Sequence, residues 1–171
     1  MINAIFAVDQ FGGIGLNGSM PWPRIHSDMQ HFVELTKGHV VVMGRRTYDD
    51  PKMPKPLPNR INIILSHSPV VSSSRNVFTR SGNLREVLDD VKSRWPGKNI
   101  WFIGGANLLM ESKDYCDEMW IAHRKGAYLT DVRIDLNRYM LGARITSSVP
   151  NEKRTINWCT YKNVDIFRPF V

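Results

Sequence analysis

Two short apolar runs, each ending at glycine, constrain the fold of this chain most strongly. His39 to Met43 and Ile100 to Ile103 are continuous, largely apolar runs that lead into Gly44 and into Gly104-Gly105. Runs without polar alternation are typical of strands that are covered on both faces, as in parallel sheets. Because parallel strands need crossover connections, these runs predict helices packed on both faces of a sheet.

The rest of the chain continues this alternation. Further strands are predicted at Ile2 to Val8, Asn62 to Leu65, Val77 to Thr79 and Met119 to Ala122, and helices at Ser27 to Lys37, 84–95 and 106–113. Strands near Ile145 to Val149 and at Trp158 to Phe167 have no helix between them, which indicates an antiparallel edge. With no linker long enough to divide it, residues 1–171 are predicted to form one α/β domain.

Composition excludes some classes of function and leaves others open. The 171 residues are 42% hydrophobic, which is enough for a substantial core. No apolar run approaches the roughly 20 residues of a membrane span, so no membrane partner is expected. The net charge of +7 comes from 23 basic and 16 acidic side chains. They are spread along the chain, so small anionic ligands explain the excess as well as nucleic acid does.

The histidines and cysteines show no metal-binding pattern. The five histidines have neither HxH nor HExxH spacing, and Cys116 and Cys159 form no CxxC motif. We therefore expect no metal site. Two widely spaced cysteines also fit a reducing compartment, and the cytoplasm is the expected location.

Two strand ends predict a site for a phosphorylated ligand. Gly44-Arg45-Arg46-Thr47 and Gly104-Gly105-Ala106-Asn107 each follow a buried strand. Glycine permits close approach of a ligand, and the N–H groups that open a helix attract anions. The guanidinium groups of Arg45 and Arg46 can each donate two hydrogen bonds to a phosphate. Taken alone, Gly104-Gly105 is equally compatible with a tight turn, and neither GxGxxG nor GxxxxGK[ST] occurs.

Asp28 and Arg60 are two further candidates. Asp28 shares a predicted helix face with Met29, Phe32, Val33 and Thr36, so it is either a structural hydrogen-bonding group or an acceptor for a ligand. Arg60 follows the stiff loop Pro56 to Asn59 and is either a surface residue or a fork that grips a carboxylate.

Seven segments, in order along the chain, resemble the dihydrofolate reductase family. They are Ala7-Val8-Asp9, Ile14-Gly15, Met20-Pro21-Trp22 with an acid six residues after the tryptophan, Met43 to Thr47, Pro56 to Arg60, Asn62 to Ser66, and Ile103 to Gly105. The resemblance covers nearly the whole chain. It implies a central, mostly parallel eight-stranded sheet with an antiparallel C-terminal edge, flanked by helices. The implied reaction is NADPH-dependent reduction of dihydrofolate, with hydride transfer to C6 and protonation of N5.

The resemblance also implies roles for residues at the substrate site. Asp28 resembles the family's single acid, which holds the pteridine's N3 and 2-amino group while a water protonates N5. Met20 and Trp22, the other two catalytic candidates, lie in Gly15 to Trp22, which resembles a mobile loop over the nicotinamide. Arg60 resembles the residue that grips the glutamate α-carboxylate. The expected substrate residues are Ile5, Ala7, Asp28, Met29, Phe32, Met53, Leu57, Arg60 and Ile103.

NADPH is expected across the strand ends. Arg45, Arg46 and Thr47 resemble the clamp for its pyrophosphate and 2′-phosphate, and Gly104-Gly105 resembles the family's non-proline cis peptide. The expected cofactor residues are Ala7, Ile14, Gly44, Arg45, Arg46, Thr47, Leu65, Ser66, His67, Arg80, Gly104, Gly105, Ala106, Asn107 and Leu108.

Three positions depart from the family pattern. Ala122 stands where members usually have a threonine that supports the acid, and Leu109 stands where many have a tyrosine that touches the nicotinamide. The segment Gln10 to Gly13 is slightly longer than in compact bacterial members. These departures concern details of turnover, and none of them removes a candidate site residue.

The resemblance implies dihydrofolate and antifolate inhibitors as partners, no nucleic acid, and a monomer. Other interpretations remain to be compared with it. Riboflavin-pathway reductases share the fold, although Trp22 and Asp28 count against them. A non-enzymatic binding protein on this fold is a second alternative, and a nucleic-acid binder, supported by charge alone, is a third.

Overall fold

A computed structural model describes residues 1–164 of the chain. The end of the strand expected at Trp158 to Phe167 therefore lies outside the described residues. Among the helices of residues 1–164, none is both long enough and apolar enough to cross a membrane.

Strands and helices alternate through most of the chain, as the sequence predicts. The elements are β1 (Ile2–Val8), β2 (Gly13–Gly15), α1 (His26–Thr36), β3 (Val40–Gly44), α2 (Arg45–Tyr48), β4 (Ile61–Leu65), β5 (Val77–Arg80), α3 (Leu84–Arg94), β6 (Ile100–Gly104), α4 (Ala106–Ser112), β7 (Glu118–Arg124), β8 (Val132–Arg133), α5 (Leu136–Tyr139), β9 (Ala143–Pro150) and β10 (Ile156–Asn163). A short 3-10 helix, Lys113–Tyr115, extends α4.

Eight of these strands form one sheet in the order β5-β4-β3-β6-β1-β7-β10-β9. All neighbours pair in parallel except β7 with β10 and β10 with β9, which are antiparallel. The expected eight-stranded, mostly parallel sheet with an antiparallel C-terminal edge is confirmed. The small pair β2–β8 was not anticipated, because three- and two-residue strands show no clear alternation.

Side chains alternate between the two faces of the sheet and form two cores. The first core lies beneath α3 and α4 and contains Ala4, Val8, Val40, Val42, Ile63, Leu88, Phe102, Leu108, Leu109 and Ile121. The second core contains Ile5, Val41, Met43, Tyr48, Leu57, Ile64 and Trp101, with Phe32 and Leu35 of α1 packed against it. Because successive residues of a strand point to opposite faces, each buried strand contributes to both cores.

Local sequence explains the bounds of α3. The Asn83 side chain accepts a hydrogen bond from the Glu86 backbone N–H at 2.9 Å, which caps the helix start. Leu84, Val87 and Leu88 are buried against the sheet with helical spacing. Burial of each such side chain contributes roughly 1.5–3 kcal/mol. The helix ends at Arg94, one residue before the predicted end.

Candidate active site

Asp28, Phe32 and Thr36 lie at four-residue intervals along α1, so their side chains share one face of the helix. Asp28 and Phe32 are half-buried, and Thr36 is fully buried. Asp28 and Thr36 are eight positions apart, which corresponds to about 12 Å along the helix axis. Val33 was expected on the same apolar side, but its side chain is 40% exposed, so that expectation is wrong. One residue past Phe32 corresponds to a rotation of about 100°, which turns Val33 toward solvent.

The Asp28 carboxylate is held by a residue that sequence analysis missed. The indole Nε1–H of Trp158 donates a hydrogen bond of 3.0 Å to Asp28 Oδ1. Trp158 lies on β10, where its register partner is Ala122 of β7. The two residues of this hydrogen bond are 130 positions apart in sequence. The sequence predicted an antiparallel edge for the strand that contains Trp158, but neither its pairing with β7 nor its register could be read from sequence.

His31 also packs against Trp158. The two rings are stacked at an angle of 27° with centroids 5.1 Å apart. Burial lowers the pKa of the His31 imidazole, although the negative charges of Asp28 and Glu34 act in the opposite direction. A neutral imidazole therefore faces the indole near neutral pH.

Arg60 occupies the other end of the α1 face. Its side chain is buried, and its Nε–H donates to Thr36 Oγ1 at 2.8 Å. One terminal N–H donates to the Pro58 carbonyl at 3.0 Å, and the guanidinium lies 5.5 Å from the Phe32 ring centroid. Desolvation lowers the pKa of this guanidinium. No acidic residue among positions 1–164 forms an ion pair with it, so a buried cation is available to an anionic ligand.

Apolar side chains expected at the substrate site are brought together by the fold. Ile5 and Leu57 are buried in the second core, and Phe32, Met53 and Ile103 pack against it. Met53 and Leu57 come from the loop before β4, and the other three residues come from β1, α1 and β6. Two other candidates lie on α1 and β1. Met29 is half-buried on α1, and Ala7 is half-buried on β1 with Ala122 as its register partner.

Trp22 is buried before the start of α1, and its neighbours include a second residue that sequence analysis missed. The Arg124 guanidinium lies 5.0 Å from the Trp22 ring centroid, and Tyr128 packs edge-on at 5.4 Å. Trp22 is 3% exposed, and its Nε1 has no hydrogen-bond partner among the described residues. A buried N–H of this kind is a donor available to a ligand or a bridging water.

The segment from Gly15 to Trp22 is tethered at its start and middle. The Asp131 backbone N–H donates to the Gly15 carbonyl, and the Asn17 N–H donates to the Asp131 carboxylate, both at 3.0 Å. The Ser19 hydroxyl donates to Asp50 Oδ2 at 3.1 Å. Met20, one of the catalytic candidates, is half-buried within the segment. Leu16 and Ser19 also exchange two backbone hydrogen bonds, of 2.8 and 3.1 Å, across the turn between them.

The ends of β3 and β6 lie side by side, as expected for the phosphate site. Met43 is in register with Gly104, and the Gly104–Gly105 peptide is cis. A Cβ on Gly44 would lie 3.7 Å from the Gly105 nitrogen, and one on Gly104 would lie 3.4 Å from Thr47 Oγ1. Gly104 also has a φ of +133°, a conformation that disfavours side chains. The backbones of the two strand ends therefore lie close together, without side chains between them.

Basic side chains near this edge differ in their freedom. Arg45 pairs with Asp49 at 3.0 Å, and Arg80 pairs with Asp90 at 2.8 Å. Arg46 is exposed and forms no ion pair within residues 1–164. Of these three arginines, Arg46 is the one free to meet an anion without first breaking an ion pair.

The remaining cofactor candidates have mixed environments. Ile14, Leu65, Ser66, Gly105 and Ala106 are half-buried, and His67 and Asn107 are exposed. Leu108 is buried in the first core, so its side chain is occupied by packing. Leu109, at one of the departures from the family pattern, is buried in the same core.

Comparisons with known proteins agree with the fold. A family model described as dihydrofolate reductase matches residues 1–162. The chain is 38% identical to the dihydrofolate reductase of Mycobacterium leprae over 110 residues, which are 63% of this chain and 62% of that protein. It is 32% identical to the dihydrofolate reductase of Ureaplasma parvum over 143 residues, 82% of this chain and 87% of the relative.

A solved structure is also similar over nearly its whole length. It is dihydrofolate reductase from Enterococcus faecalis complexed with NADP(H) and RAB-propyl. The TM-score is 0.80 at 25% identity, covering 96% of this chain and 97% of the Enterococcus chain. The match to the Mycobacterium leprae protein, in contrast, spans less than two thirds of that relative.

Proposed function

Because the chain belongs to the dihydrofolate reductase family, we propose that it uses NADPH to reduce 7,8-dihydrofolate to 5,6,7,8-tetrahydrofolate. In this reaction a hydride is transferred to C6 of the substrate and N5 gains a proton. The product would supply one-carbon metabolism and thymidylate synthesis. Membership of the family rests on the family model and the relatives, and the assignment of this reaction to named residues rests on the geometry of α1.

The single observation that carries the proposal is the order of groups along α1. A carboxylate at Asp28, an aromatic ring at Phe32 and a buried guanidinium at Arg60 follow one another on one face. Dihydrofolate presents a matching order: a heterocycle with N–H donors, an aromatic linker and a terminal carboxylate. A phosphate- or nucleic-acid-binding groove would not need a carboxylate at one end.

Asp28 is assigned to bind and orient the pteridine. With Oδ1 engaged by Trp158, the carboxylate keeps acceptor capacity on both oxygens for the substrate's N3–H and 2-amino group. Two charge-assisted hydrogen bonds fix the ring plane, and orientation of reacting groups lowers the barrier. Asp28 polarises the ring in this scheme, and a water delivers the proton to N5.

Arg60 is assigned to hold the glutamate α-carboxylate of the substrate. Thr36 and Pro58 occupy Nε and one terminal nitrogen, so these contacts fix the direction of the remaining N–H groups. Phe32, Met53 and Leu57 would contact the aromatic linker between the two polar ends, with Ile5, Ala7, Met29 and Ile103 nearer the pteridine.

The strand ends are assigned to NADPH. When bound, NADPH supplies the hydride from its nicotinamide C4. The chain fits such a group because Gly44, Gly104 and Gly105 place no side chains at the strand ends, so a ligand can approach the backbone closely. Arg46 and Thr47 would bind phosphate, with Arg45 joining after leaving Asp49. Ala7 and Ile14 would flank the nicotinamide. The other candidates are Leu65, Ser66, His67, Arg80, Gly104, Ala106, Asn107 and Leu108.

Trp22 and Met20 are assigned to the closing of the site. Trp22 is anchored by Arg124 and Tyr128, and its free Nε1–H can hold a water near the pteridine. Closure of Gly15 to Trp22 over the ring would exclude bulk water.

The proposal includes the remaining features expected from sequence. Residues 1–171 would form one domain that acts as a cytoplasmic monomer without a nucleic-acid or membrane partner. Antifolate inhibitors would bind at the dihydrofolate site.

A labelling experiment tests the chemistry. The protein is incubated with dihydrofolate and NADPH that carries deuterium at the transferable position of nicotinamide C4, and the product is analysed by mass spectrometry and NMR. We expect tetrahydrofolate with one deuterium at C6. Product without the label, or label at another carbon, would contradict the proposed hydride transfer.

A further inference from the structure

We infer that Trp158 is a positioning residue for Asp28: its indole N–H fixes one carboxylate oxygen so that the acid presents a defined plane to the substrate. The supporting observation is the hydrogen bond of 3.0 Å from Trp158 Nε1 to Asp28 Oδ1. This role depends on the proposed function, because orienting Asp28 matters only if Asp28 binds the pteridine.

The sheet explains how an indole reaches the helix. Ala7, Ala122 and Trp158 are register partners on three adjacent strands, so their side chains point to one face of the sheet. The neighbouring row contains Ile5, Trp120 and Thr160. The two alanines carry only a methyl group each, and α1 packs on this face through Phe32 and Leu35. The small residues therefore leave space for a large side chain from β10 to lie between the sheet and Asp28.

The indole differs chemically from a hydroxyl in the same place. Its Nε1–H donates a hydrogen bond and cannot accept one, whereas a threonine hydroxyl does both. Both groups would donate to a carboxylate, but the indole cannot also accept from a third group, so its only hydrogen-bonding group is used on Asp28 Oδ1. The carboxylate plane is then set by a rigid ring instead of a rotating hydroxyl.

A second contact fixes the indole itself. His31, three residues after Asp28 on α1, stacks on Trp158 with ring centroids 5.1 Å apart. The helix that carries the acid therefore also braces the donor. One hydrogen bond and one ring contact therefore tie Trp158 to two residues of the same helix, Asp28 and His31.

Trp158→Phe tests this role by removing the N–H while keeping an aromatic ring against His31. Loss of one hydrogen bond to a charged group predicts a fall in kcat/KM for dihydrofolate of about tenfold or more. NADPH affinity should remain within about twofold, because the hydrogen bond and ring contact of Trp158 within residues 1–164 go to α1 and not to the glycine strand ends. Trp120→Phe is the matched control: Trp120 donates to Glu118 instead of Asp28, at 3.0 Å, and lies one row away.

Restoration of a hydroxyl separates positioning from packing. Position 122 is directly opposite Trp158, and paired side chains on antiparallel strands lie close together. In the Trp158→Phe background, Ala122→Thr supplies a hydroxyl donor on the correct face, and Ala122→Val supplies the same volume without the hydroxyl. We expect threonine to recover at least part of the lost kcat/KM and valine to recover none. Thermal unfolding of every variant reports whether the fold is retained.

The outcomes are distinct. Wild-type protein that does not reduce dihydrofolate contradicts the proposed function, and the role of Trp158 falls with it. Active wild-type protein together with unchanged kcat/KM in Trp158→Phe overturns the role of Trp158 alone. Equal losses in Trp158→Phe and Trp120→Phe, or equal recovery with threonine and valine, show that packing explains the effect and also overturn it.

Discussion

The substrate side and the cofactor side of the candidate site are built in different ways. On the substrate side, Arg60 is buried and Asp28 is half-buried, and each is held by hydrogen bonds from or to another side chain. On the cofactor side, Arg46 and His67 are exposed and Arg45 is paired with Asp49. The substrate side is therefore formed before any ligand binds, whereas the cofactor side combines a rigid glycine edge with side chains that must move.

The two sides differ in how much side-chain entropy they lose when a ligand binds. A buried guanidinium with two of its nitrogens already directed loses little freedom when a carboxylate arrives. Exposed arginines must lose side-chain entropy, and Arg45 must also leave its ion pair. We therefore expect substitutions on the substrate side to have larger effects than those on the cofactor side.

Asp28→Asn should give the largest effect. The amide replaces an acceptor oxygen with a donor, so it cannot bind both N–H groups of the pteridine. We expect kcat/KM for dihydrofolate to fall roughly 10²- to 10³-fold, with NADPH affinity nearly unchanged. Asp89→Asn, at an exposed position of α3, is the control and should retain activity. Equal losses of hydride transfer and NADPH binding would show that Asp28 has a structural role instead.

Arg60→Met should have the next largest effect and should separate activity from stability. Removal of the fork is expected to lower kcat/KM for dihydrofolate about 10- to 100-fold, which corresponds to one lost charge-assisted contact. The midpoint of thermal unfolding should not fall, because methionine removes a buried cation that has no acidic partner among residues 1–164.

A truncated substrate is the control for Arg60. A dihydropterin that lacks the glutamate should react equally with wild type and Arg60→Met. An equal loss for both substrates would mean that Arg60 does not contact the glutamate.

Arg46→Ala should have a moderate effect confined to the cofactor. We expect NADPH to bind roughly 5- to 10-fold more weakly, with NADH affinity unchanged, because only NADPH carries the 2′-phosphate. Arg45→Ala should change NADPH affinity less, since Arg45 must break its pair with Asp49 to reach a phosphate. Titration by fluorescence measures the affinities of both variants for NADPH and for NADH, with the wild-type protein as the reference. Equal weakening of NADPH and NADH would place the phosphate clamp elsewhere.

Acidification should have the smallest effect and should act on the fold. Burial lowers the pKa of His31, His39 and His123 below 6.5, so the unfolded chain binds more protons as pH falls through 6.5. The free energy of unfolding should therefore be fully retained above that pH and decrease below it. The His39 Nδ1 also accepts the Asn99 N–H at 3.0 Å, and it must be unprotonated to do so.

Urea unfolding at pH 7.5 and 5.5 measures this change. His39→Gln should reduce the difference between the two free energies. Equal unfolding free energies at both pH values in the wild-type protein would contradict the prediction.

The same contrast explains how much could be predicted from sequence. For the buried strands and α3, each predicted end lies within two residues of the observed end. These ends could be predicted because apolar periodicity and caps such as Asn83 act over only a few residues. The cis Gly104–Gly105 peptide, expected from the resemblance, is present. Gly44, Gly104 and Thr47 came together as expected because parallel strand ends meet at one edge.

Features that depend on distant pairing could not be predicted. The bond between Trp158 and Asp28 requires the register of β7 with β10, and the pair Arg80–Asp90 requires the packing of α3 against β5. The position of Arg124 over Trp22 depends likewise on how a loop folds back on the sheet. Asp28 and the arginines were candidates from sequence alone. Only the fold shows that Asp28 and Arg60 have hydrogen-bond partners and that Arg45 and Arg80 are in ion pairs.

The most direct test of the whole account is the absorbance at 340 nm of purified protein mixed with NADPH and dihydrofolate, with and without methotrexate. We expect a loss of absorbance that requires dihydrofolate and is blocked by methotrexate. No loss of absorbance from protein that unfolds cooperatively and binds NADPH would contradict the assignment of Asp28, Phe32 and Arg60 to a working folate site.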